Sequence, residues 1–349
     1  MTNSGMTNSR TRTALVVRLD ADGDVLLAGP AVRAVATGAD RVVLLCGPRG
    51  RQAAGLLPGV DDVLVWAAPW IEPAPHPVDR ADTEQLVAMV AGAAPDDAVV
   101  LTSFHQSPLP TALLLRLAGV GRITAVSEDY PGSLLDVRCA DPGDVPEPRR
   151  ALGVAAAAGY PLPSGDDGRL AVRRPLPATS RLTGAGPYVV VHPGTSVPAR
   201  SWPAERWVEA VRELRARGHR VVVTGGPAEQ PLTGRVAGAA SGVVDLGGRT
   251  SLAELAGVLG GATAVVVANT GPAHLAAAVG TPVVSLFAPT VPAQRWAPYG
   301  VPVRLLGDQD APCRGTRATT CPVAGHPCLG RVTAADVCEA VDSLVGVAA

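Results

Sequence analysis

Short apolar runs alternate with longer amphipathic stretches along both halves of this chain. In the first half, the predicted elements are strands at 14–19, 41–45, 62–66, 98–102 and 123–126 and helices at 26–36, 51–57, 82–91 and 111–118. The strands are apolar on both faces, which is typical of parallel sheets that are covered by helices. The pattern therefore predicts an α/β fold with a doubly wound parallel sheet.

The same alternation restarts after a passage rich in Pro, Gly, Ser and Thr that runs from 141 to 186. This passage has one Ala-rich predicted helix, 149–158, and its composition is typical of a connection between domains. The second half is predicted to hold strands at 188–192, 219–224, 243–246 and 301–306, helices at 204–217, 228–240, 251–259 and 334–345, and a strand–helix–strand unit at 265–290.

The chain length agrees with two domains, because 349 residues exceed what one hydrophobic core usually serves. We expect a disordered tail at 1–12, a Rossmann-like domain at 13–175, a linker at 176–187 and a second Rossmann-like domain at 188–349. Ligands of such sheets bind at the carboxyl ends of the strands. The sequence therefore predicts a site in a cleft between the two domains.

Composition narrows the classes of partner. A formal net charge of −1 argues against nucleic acid or an anionic membrane as the partner. All 30 basic residues are Arg, so any basic side chain that contacts a phosphate must be Arg, whose planar fork suits paired oxygens. The first residues do not resemble a signal peptide, and no apolar run reaches the roughly 18 residues of a membrane helix. We expect a cytoplasmic protein with reduced thiols.

The turn inside the unit at 265–290 is the first candidate site. Asn269 or Thr270 can cap the helix that follows, and Gly271 allows a ligand to approach the backbone. Free N–H groups and the positive end of the helix dipole favour an anion such as phosphate, to which His274 can add a donor. The alternative is an ordinary strand-to-helix turn, which is common in α/β proteins.

Three carboxylates surround Gly23 in the first strand-to-helix connection, at Asp20, Asp22 and Asp24. They can bind a metal, although the spacing lacks the rest of a calcium loop. Asp24 can instead cap the following helix, or it can act as a general base that takes a proton from an attacking hydroxyl. Residue types alone leave these three alternatives open.

A loop rich in hydrogen-bond donors opens the second half. Gly194, Thr195 and Ser196 follow a predicted strand, and Arg200 comes shortly afterwards. Backbone N–H groups, hydroxyls and a guanidinium together suit a diphosphate. The alternative is a loop that enters the next helix at Pro203.

Glu229 follows a Gly-Gly-Pro turn at the end of the next predicted strand. A carboxylate in this place can accept hydrogen bonds from a ribose or a base, or it can be an acid that the helix dipole favours. No GxGxxG run follows the first strand and no GxxxxGK[ST] run occurs in the sequence, which argues against NAD binding and against a P-loop.

Cysteines and one histidine cluster late in the chain, at Cys313, Cys321, His326 and Cys328. Their spacing, C-x7-C-x4-H-x-C, matches no standard zinc pattern. Buried thiols in a packed loop are favoured over a structural metal, and we expect no metal and no cofactor.

Taken together, these motifs resemble glycosyltransferase family 9, the ADP-heptose:lipopolysaccharide heptosyltransferase family. The resemblance rests on an ordered set of segments: RLDADGDVLLAGPAVRA, HPGTSVPARSWPAERW, TGGPAE, DLGGRTSLAELAGVL and ANTGPAHLAAAVGTPVVSLFAPT. It implies the GT-B fold, in which two Rossmann-like domains face each other across a cleft. It also implies that the domain at 13–175 binds the acceptor and that the domain at 188–349 binds a nucleotide sugar.

The resemblance also implies roles for single residues. Asp24 falls on the Gly-Asp catalytic base of the family, and Arg200, which precedes Trp-Pro, would neutralise the leaving diphosphate. The resemblance also implies contacts with the donor. They comprise a basic residue on the first strand and residues that contact the phosphates, the ribose and the pyrophosphate. These residues are Arg18, Gly194, Thr195, Ser196, Glu229, Asn269, Thr270, Gly271 and His274.

Two of these positions depart from the family pattern. Asn269 stands where the family usually has Asp, which removes a negative charge close to the sugar or phosphate. Arg200 stands where members often have Lys, which keeps the positive charge and changes its geometry.

We therefore expect an inverting, metal-independent glycosyltransferase with Asp24 as general base. It would move heptose or a similar sugar from a nucleoside-diphosphate donor, with ADP favoured, to a hydroxyl of a glycan or small metabolite. We expect no transmembrane segment. Peripheral contact with a membrane is compatible with this activity. The alternatives are a nucleotide-sugar-binding protein without turnover, which Asn269 favours, and a GT-B relative such as a nucleotide-sugar epimerase.

Overall fold

The computed structural model of this protein describes residues 11–346. Residues 1–10 of the predicted tail therefore lie outside the described residues. By its contacts the chain forms two compact units. Unit 1 comprises 11–20, 30–141 and 151–166 of the described residues, and unit 2 comprises 21–29, 142–150 and 167–346.

The described part of the first half, from residue 11 onward, has six strands and six α-helices. The strands are β1 (Thr13–Arg18), β2 (Arg41–Cys46), β3 (Asp62–Val65), β4 (Asp97–Val100), β5 (Arg122–Val126) and β6 (Val137–Cys139). The helices are α1 (Asp22–Leu27), α2 (Gly29–Ala36), α3 (Arg51–Leu56), α4 (Arg80–Ala93), α5 (Leu109–Leu117) and α6 (Glu147–Ala157).

The second half repeats this alternation. Its strands are β7 (Val189–His192), β8 (Val221–Gly225), β9 (Val244–Gly247), β10 (Ala264–Ala268), β11 (Val283–Leu286) and β12 (Val303–Leu306). Its helices are α7 (Ser180–Thr183), α8 (Ala204–Ala216), α9 (Gln230–Ala237), α10 (Leu252–Gly260), α11 (Gly271–Val279), α12 (Ala293–Trp296), α13 (Pro327–Gly330) and α14 (Ala334–Val345).

Both sheets are parallel and have the same topology. The strand order is β3-β2-β1-β4-β5-β6 in the first sheet and β12-β11-β10-β7-β8-β9 in the second. In each, the order reverses between the first and fourth strands of the sheet, which is where α/β proteins of this topology bind their ligands. The predicted doubly wound α/β fold is confirmed, and the second sheet has its switch point between β7 and β10.

Some elements differ from the prediction. The predicted helix at 26–36 is two helices, because Pro30 in the first turn of α2 has no N–H to continue the ladder from α1. The helix also begins earlier, at Asp22, so Asp24 lies in a first helical turn rather than in a loop. The strand β6 and the helices α7, α12 and α13 were not predicted, since three or four residues are too few to show a period.

Each unit has its own hydrophobic core, built from β-branched strand residues and the helices against them. In unit 2 the Trp207 side chain is fully buried on α8 and packs edge-on against Trp202 with ring centroids 5.0 Å apart. Ser251 caps α10 through a capping box with Glu254. Among the described residues, no helix is both long and apolar enough to cross a bilayer.

Unit 1 contains a polar cluster of Arg12, Asp97 and Tyr160, in which Asp97 and Tyr160 are buried and Arg12 is exposed. The Tyr160 hydroxyl is buried and donates to Asp97 Oδ2 at 2.8 Å, and Arg12 Nη2 donates to the same oxygen at 2.7 Å. The Arg12 guanidinium also lies 4.9 Å from the centre of the Tyr160 ring. This cluster joins the segment after α6 to the first residue of β4.

We expect Tyr160→Phe to lower the free energy of unfolding by about 1–3 kcal/mol, because the buried Asp97 carboxylate loses a donor. Urea denaturation followed by circular dichroism measures the change. Tyr130→Phe is the matched control, since the Tyr130 side chain is 87% exposed. Equal stability of the two variants would show that the hydroxyl of Tyr160 contributes nothing.

Candidate functional site

The candidate site is built around the switch point of the second sheet, in unit 2. Strands β7 and β10 pair there in parallel, with His192 opposite Val267. After β10 the chain turns through Asn269 and Thr270 into α11, whose first residue is Gly271. The N-terminus of α11 therefore lies at the carboxyl edge of the sheet, where its N–H groups and dipole favour an anion.

Thr270 is the N-cap residue of α11, with an extended backbone. Its side chain makes no capping hydrogen bond to the described residues, in contrast to Ser251 on α10. The hydroxyl and the first N–H groups of α11 are therefore not tied together, which suits a site for an external acceptor of hydrogen bonds.

Asn269 is buried and its side chain joins the ends of two strands. Its Nδ2 donates to the Ala288 carbonyl at 3.5 Å and its Oδ1 accepts from the Ala288 N–H at 3.4 Å. A carboxylate could accept from the N–H but could not donate to the carbonyl. The bracket between Asn269 and Ala288 thus gives a structural reason for Asn at this position.

His274 is the fourth residue of α11 and is 7% exposed. Burial lowers the pKa of its imidazole to about 4, with Asp24 opposing the shift and Arg200 adding to it. Its Nδ1 is buried and has no hydrogen-bond partner among the described residues. The ring is therefore neutral at pH 7, with one nitrogen available to a ligand.

The helix α1 packs directly against α11. A Cβ on Gly23 would lie 3.1 Å from the Cα of Gly271 and 3.1 Å from Cδ2 of His274, which is tighter than most real Cβ contacts, so the close approach favours a glycine. Residues 21–29 accordingly belong to unit 2, together with α11. This packing places Asp24, the next residue, beside the start of α11.

Asp24, Arg200 and His274 form one electrostatic group in unit 2. Burial lowers the pKa of the Arg200 guanidinium, and the Asp24 carboxylate opposes this effect. The same carboxylate also acts on His274. Arg200 remains protonated at any physiological pH, so the group consists of a carboxylate, a guanidinium and a neutral imidazole.

Arg200 is aimed at the turn before α11. Its Nη1 donates to the Asn269 carbonyl at 3.3 Å, while its buried Nε has no hydrogen-bond partner within residues 11–346. The residue ends a short 3-10 helix, Pro198–Arg200, that follows the loop after β7. A guanidinium with an unused buried N–H is suited to bind an anion at this point.

The loop between β7 and Arg200 carries the predicted donors. Gly194 is buried, Thr195 is half-buried and Ser196 is exposed. Thr195 Oγ1 accepts the Val197 N–H at 3.3 Å, which shapes the turn. The loop therefore follows β7 at the switch point, as the sequence predicted, with the Thr195 hydroxyl used in part by its own backbone.

Glu229 is held close to the same loop. Its Oε2 accepts the Gly226 N–H at 2.7 Å, and a Cβ on Gly194 would overlap its carboxylate. The buried ring of His192 lies between two partners, with Nδ1 3.0 Å from Thr224 Oγ1 and Nε2 3.7 Å from Glu229 Oε2. Burial lowers the pKa of His192, and the Glu229 charge opposes this.

Arg18 belongs to unit 1 and is buried at the end of β1. Its Nε lies 3.1 Å from Asp20 Oδ2 and its Nη2 donates to Ser103 Oγ at 2.9 Å. Gln106 closes the network by donating to Asp20 Oδ1 at 2.7 Å and accepting from the Ser103 N–H. The Asp20 carboxylate thus balances the charge of Arg18.

The late cysteine and histidine cluster forms a packed loop in unit 2. Cys313 and Cys328 are each 1% exposed and lie in the core, whereas Cys321 is half-buried. Burial raises the pKa of Cys328 to about 12, and the neighbouring Cys313 adds to this. The Cys328 thiol therefore stays protonated at neutral pH. The described residues contain no group of three or more His, Cys, Asp or Glu side chains arranged to hold a metal.

Sequence reasoning missed the residues that act as supports. His192 and Ala288 were not among the candidates, although they contact Glu229 and Asn269. Gly23 was noted among three carboxylates, but its contact with α11 was not predicted. A glycine before a candidate base and a histidine at a strand end are weak local signals. Their partners become visible only when the chain is folded.

Comparison with known proteins gives one family. The model of glycosyltransferase family 9 (heptosyltransferase) matches residues 112–325, which is more than half of the chain. The match includes Arg200, Glu229 and the turn at 269–274 and does not reach Asp24. A search of curated proteins found no match.

Solved structures of similar fold cover almost the whole chain. The family 9 glycosyl transferase of Veillonella parvula has a TM-score of 0.76 at 18% identity, over 96% of this chain and 97% of that one. ADP-heptose LPS heptosyltransferase II of E. coli has 0.72 at 19%, over 96% and 99%. E. coli heptosyltransferase WaaC, solved with ADP-2-deoxy-2-fluoro heptose, has 0.72 at 22%, over 95% and 99%.

These likenesses confirm the predicted GT-B fold, and the family match confirms the resemblance seen in the sequence motifs. This chain belongs to glycosyltransferase family 9, the heptosyltransferase family, and is a glycosyltransferase.

Proposed function

We propose that this protein transfers a heptose or a similar sugar from a nucleoside-diphosphate donor to an acceptor hydroxyl, with inversion and without a metal. Asp24 is the general base, and Arg200 with the start of α11 receives the leaving diphosphate. The acceptor is a hydroxyl of a glycan or small metabolite, and the reaction takes place in the cytoplasm.

One observation supports this proposal above the others. A carboxylate, a guanidinium and a helix N-terminus lie together at the switch point of the second sheet, although Asp24 and Arg200 are far apart in sequence. An inverting transfer requires these two functions, a base for the attacking hydroxyl and positive charge for the departing diphosphate.

In the proposed reaction the Asp24 carboxylate takes the proton of the acceptor hydroxyl. The hydroxyl oxygen then forms a bond to the anomeric carbon on the face opposite the diphosphate, and the bond from that carbon to the diphosphate oxygen breaks. The electron pair of the broken bond leaves on the diphosphate. The configuration at the anomeric carbon is inverted as a result.

The charge that develops on the leaving group is stabilised by Arg200. Its buried Nε–H is free of partners in the described chain and can donate to a diphosphate oxygen, and His274 can donate from a neutral ring. The hydroxyl of Thr270 and the N–H groups of Gly271 and the residues after it add further donors. Preorganised donors of this kind take the place of a metal ion.

The nucleoside is assigned to the loops after β7 and β8. Gly194, Thr195 and Ser196 supply donors for the phosphates, and the Glu229 carboxylate accepts hydrogen bonds from the ribose. Among similar structures, WaaC has been solved with ADP and with an ADP-heptose analogue, which favours ADP as the nucleotide here.

Asp24→Asn is expected to lower kcat by about 10²–10⁴-fold, the usual contribution of a general base. The same variant should bind ADP at least as tightly as the native chain, because a negative charge near the diphosphate is removed. Product formation and calorimetric ADP binding measure the two effects. Asp22→Asn, in the same helical turn, is the control that should keep most of the turnover.

A protein that binds nucleotide sugars without turnover would behave differently. It would form no product with any donor, and Asp24→Asn would then have no activity to remove. Retained turnover in Asp24→Asn would instead mean that another group is the base.

Arg200→Ala is expected to weaken ADP binding by about 10–100-fold, the cost of losing hydrogen bonds to a charged group. The ADP affinity of Arg200→Lys should lie between those of the native chain and Arg200→Ala, because lysine keeps the positive charge but lacks the planar guanidinium. Calorimetry with ADP, GDP, UDP and dTDP, with magnesium and then with a chelator, measures this. Arg206→Ala is the control, because Arg206 pairs with Glu209 at 2.9 Å on the surface.

Magnesium-dependent binding in that panel would contradict a metal-independent site. Preference for a nucleotide other than ADP would replace the proposed donor and keep the rest of the mechanism.

His274 is expected to titrate near pH 4 in the free protein, because burial and Arg200 disfavour the imidazolium. The unfolded state binds more protons between about pH 6.5 and 4, so this group stabilises the fold fully above that window and its contribution is lost as the pH falls through it. Bound ADP should raise the pKa, since a nearby anion favours the cation. NMR titration of the ring, assigned with His274→Gln, measures both values, and a pKa unchanged by ADP would place the phosphates elsewhere.

A further inference from the structure

The loop that contains the late cysteines also contacts the segment that carries Arg200. The Ala199 N–H donates to the Thr319 carbonyl at 2.9 Å, and the Ala199 carbonyl accepts from His326 Nε2 at 3.1 Å. Ala199 is 1% exposed and immediately precedes Arg200. Both backbone hydrogen-bonding groups of this residue are therefore held by one distant loop.

This loop is itself tied to the carboxyl end of the second sheet. The N–H groups of Gly315 and Arg317 donate to the carbonyls of Pro289 and Thr290, each at 2.8 Å. The Asp308 N–H donates to the Cys328 carbonyl at 2.9 Å. The loop is thus fixed on the turn after β11, which also contains Ala288, the partner of Asn269.

His326 is placed by its backbone and by the buried thiols. It adopts a left-handed conformation with φ of 47°, which histidine tolerates better than most residues. Its carbonyl accepts the Gly330 N–H at 2.8 Å, and Cys328, two residues later, is buried in the core against Cys313. The imidazole therefore contacts Ala199 from a backbone position that these hydrogen bonds and the buried Cys328 hold in place.

We infer that His326 is a positioning residue for Arg200. Because a carbonyl only accepts hydrogen bonds, His326 Nε2 carries the hydrogen and donates a hydrogen bond to the Ala199 carbonyl. This bond fixes the backbone from which the Arg200 guanidinium reaches the Asn269 carbonyl. Arg200 is held on its other side by that carbonyl, which the amide of Asn269 and Ala288 keep in place. The inference rests on the proposed function of Arg200 at the diphosphate.

The test uses two substitutions that separate reach from backbone preference. His326→Asn keeps a residue that accepts the left-handed conformation but is too short to contact Ala199. His326→Gln carries an amide nitrogen at about the reach of Nε2 and can donate to the carbonyl. His219→Asn is the control, since His219 pairs with Asp342 at 2.8 Å on the surface of the same unit.

His326→Asn is expected to weaken ADP binding and lower kcat/KM by about five- to twentyfold, the effect of one lost hydrogen bond and a carbonyl left unpaired. His326→Gln should recover most of this loss, and the control should match the native chain. In an Arg200→Ala background, His326→Asn should have almost no further effect, because both changes act on the same contact.

A purely structural role for the loop would give another pattern. The effect of His326→Asn would then persist in the Arg200→Ala background and follow the melting temperature, and either result would overturn the inference. Unchanged ADP binding in His326→Asn, with normal binding by the native chain, would overturn it as well while the proposed function stands. If the native chain bound no nucleoside diphosphate, the proposed function would fail and the inference with it.

Discussion

The close approach of α1 to α11 is the constraint on which the candidate site depends. It is possible because Gly23 presents no Cβ to Gly271 and His274. The approach brings the Asp24 carboxylate into the field of Arg200 and the buried imidazole. A Cβ at Gly23 would lie 3.1 Å from Gly271 Cα and from His274 Cδ2, so these neighbours would have to shift by a few tenths of an ångström. The placement of Asp24 is therefore linked to backbone packing at this contact.

Burial lowers the pKa of both basic members of the group, His274 and Arg200. His274 is neutral because desolvation and Arg200 outweigh the attraction of Asp24. Arg200 keeps its proton in spite of burial, because a guanidinium is too basic to lose it near neutral pH. The site therefore joins one cation, one carboxylate and uncharged donors. This combination of groups suits the proposed diphosphate, with Arg200 and the N-terminus of α11 as its donors.

Arg200 is held from two directions, and both supports come from distant parts of unit 2. On one side, the Asn269 carbonyl accepts from its Nη1, and the amide of Asn269 is bracketed on Ala288. On the other side, Thr319 and His326 hold both backbone groups of Ala199. The departure of Asn269 from the acid usual in the family and the late cysteine loop, which looked unrelated in sequence, thus contribute to the same support.

The sequence by itself determined the doubly wound fold, the turn before α11 and the donor-rich loop after β7. These features depend on the hydrophobic period and on turn-forming residues within a few neighbouring positions. Both can therefore be recognised without knowing how the rest of the chain folds. Only the tertiary structure decided that Gly23 meets Gly271, that Asn269 brackets Ala288 and that His326 reaches Ala199. Each of these contacts joins residues from different elements, and no local pattern records which distant segment the folded core will bring against them.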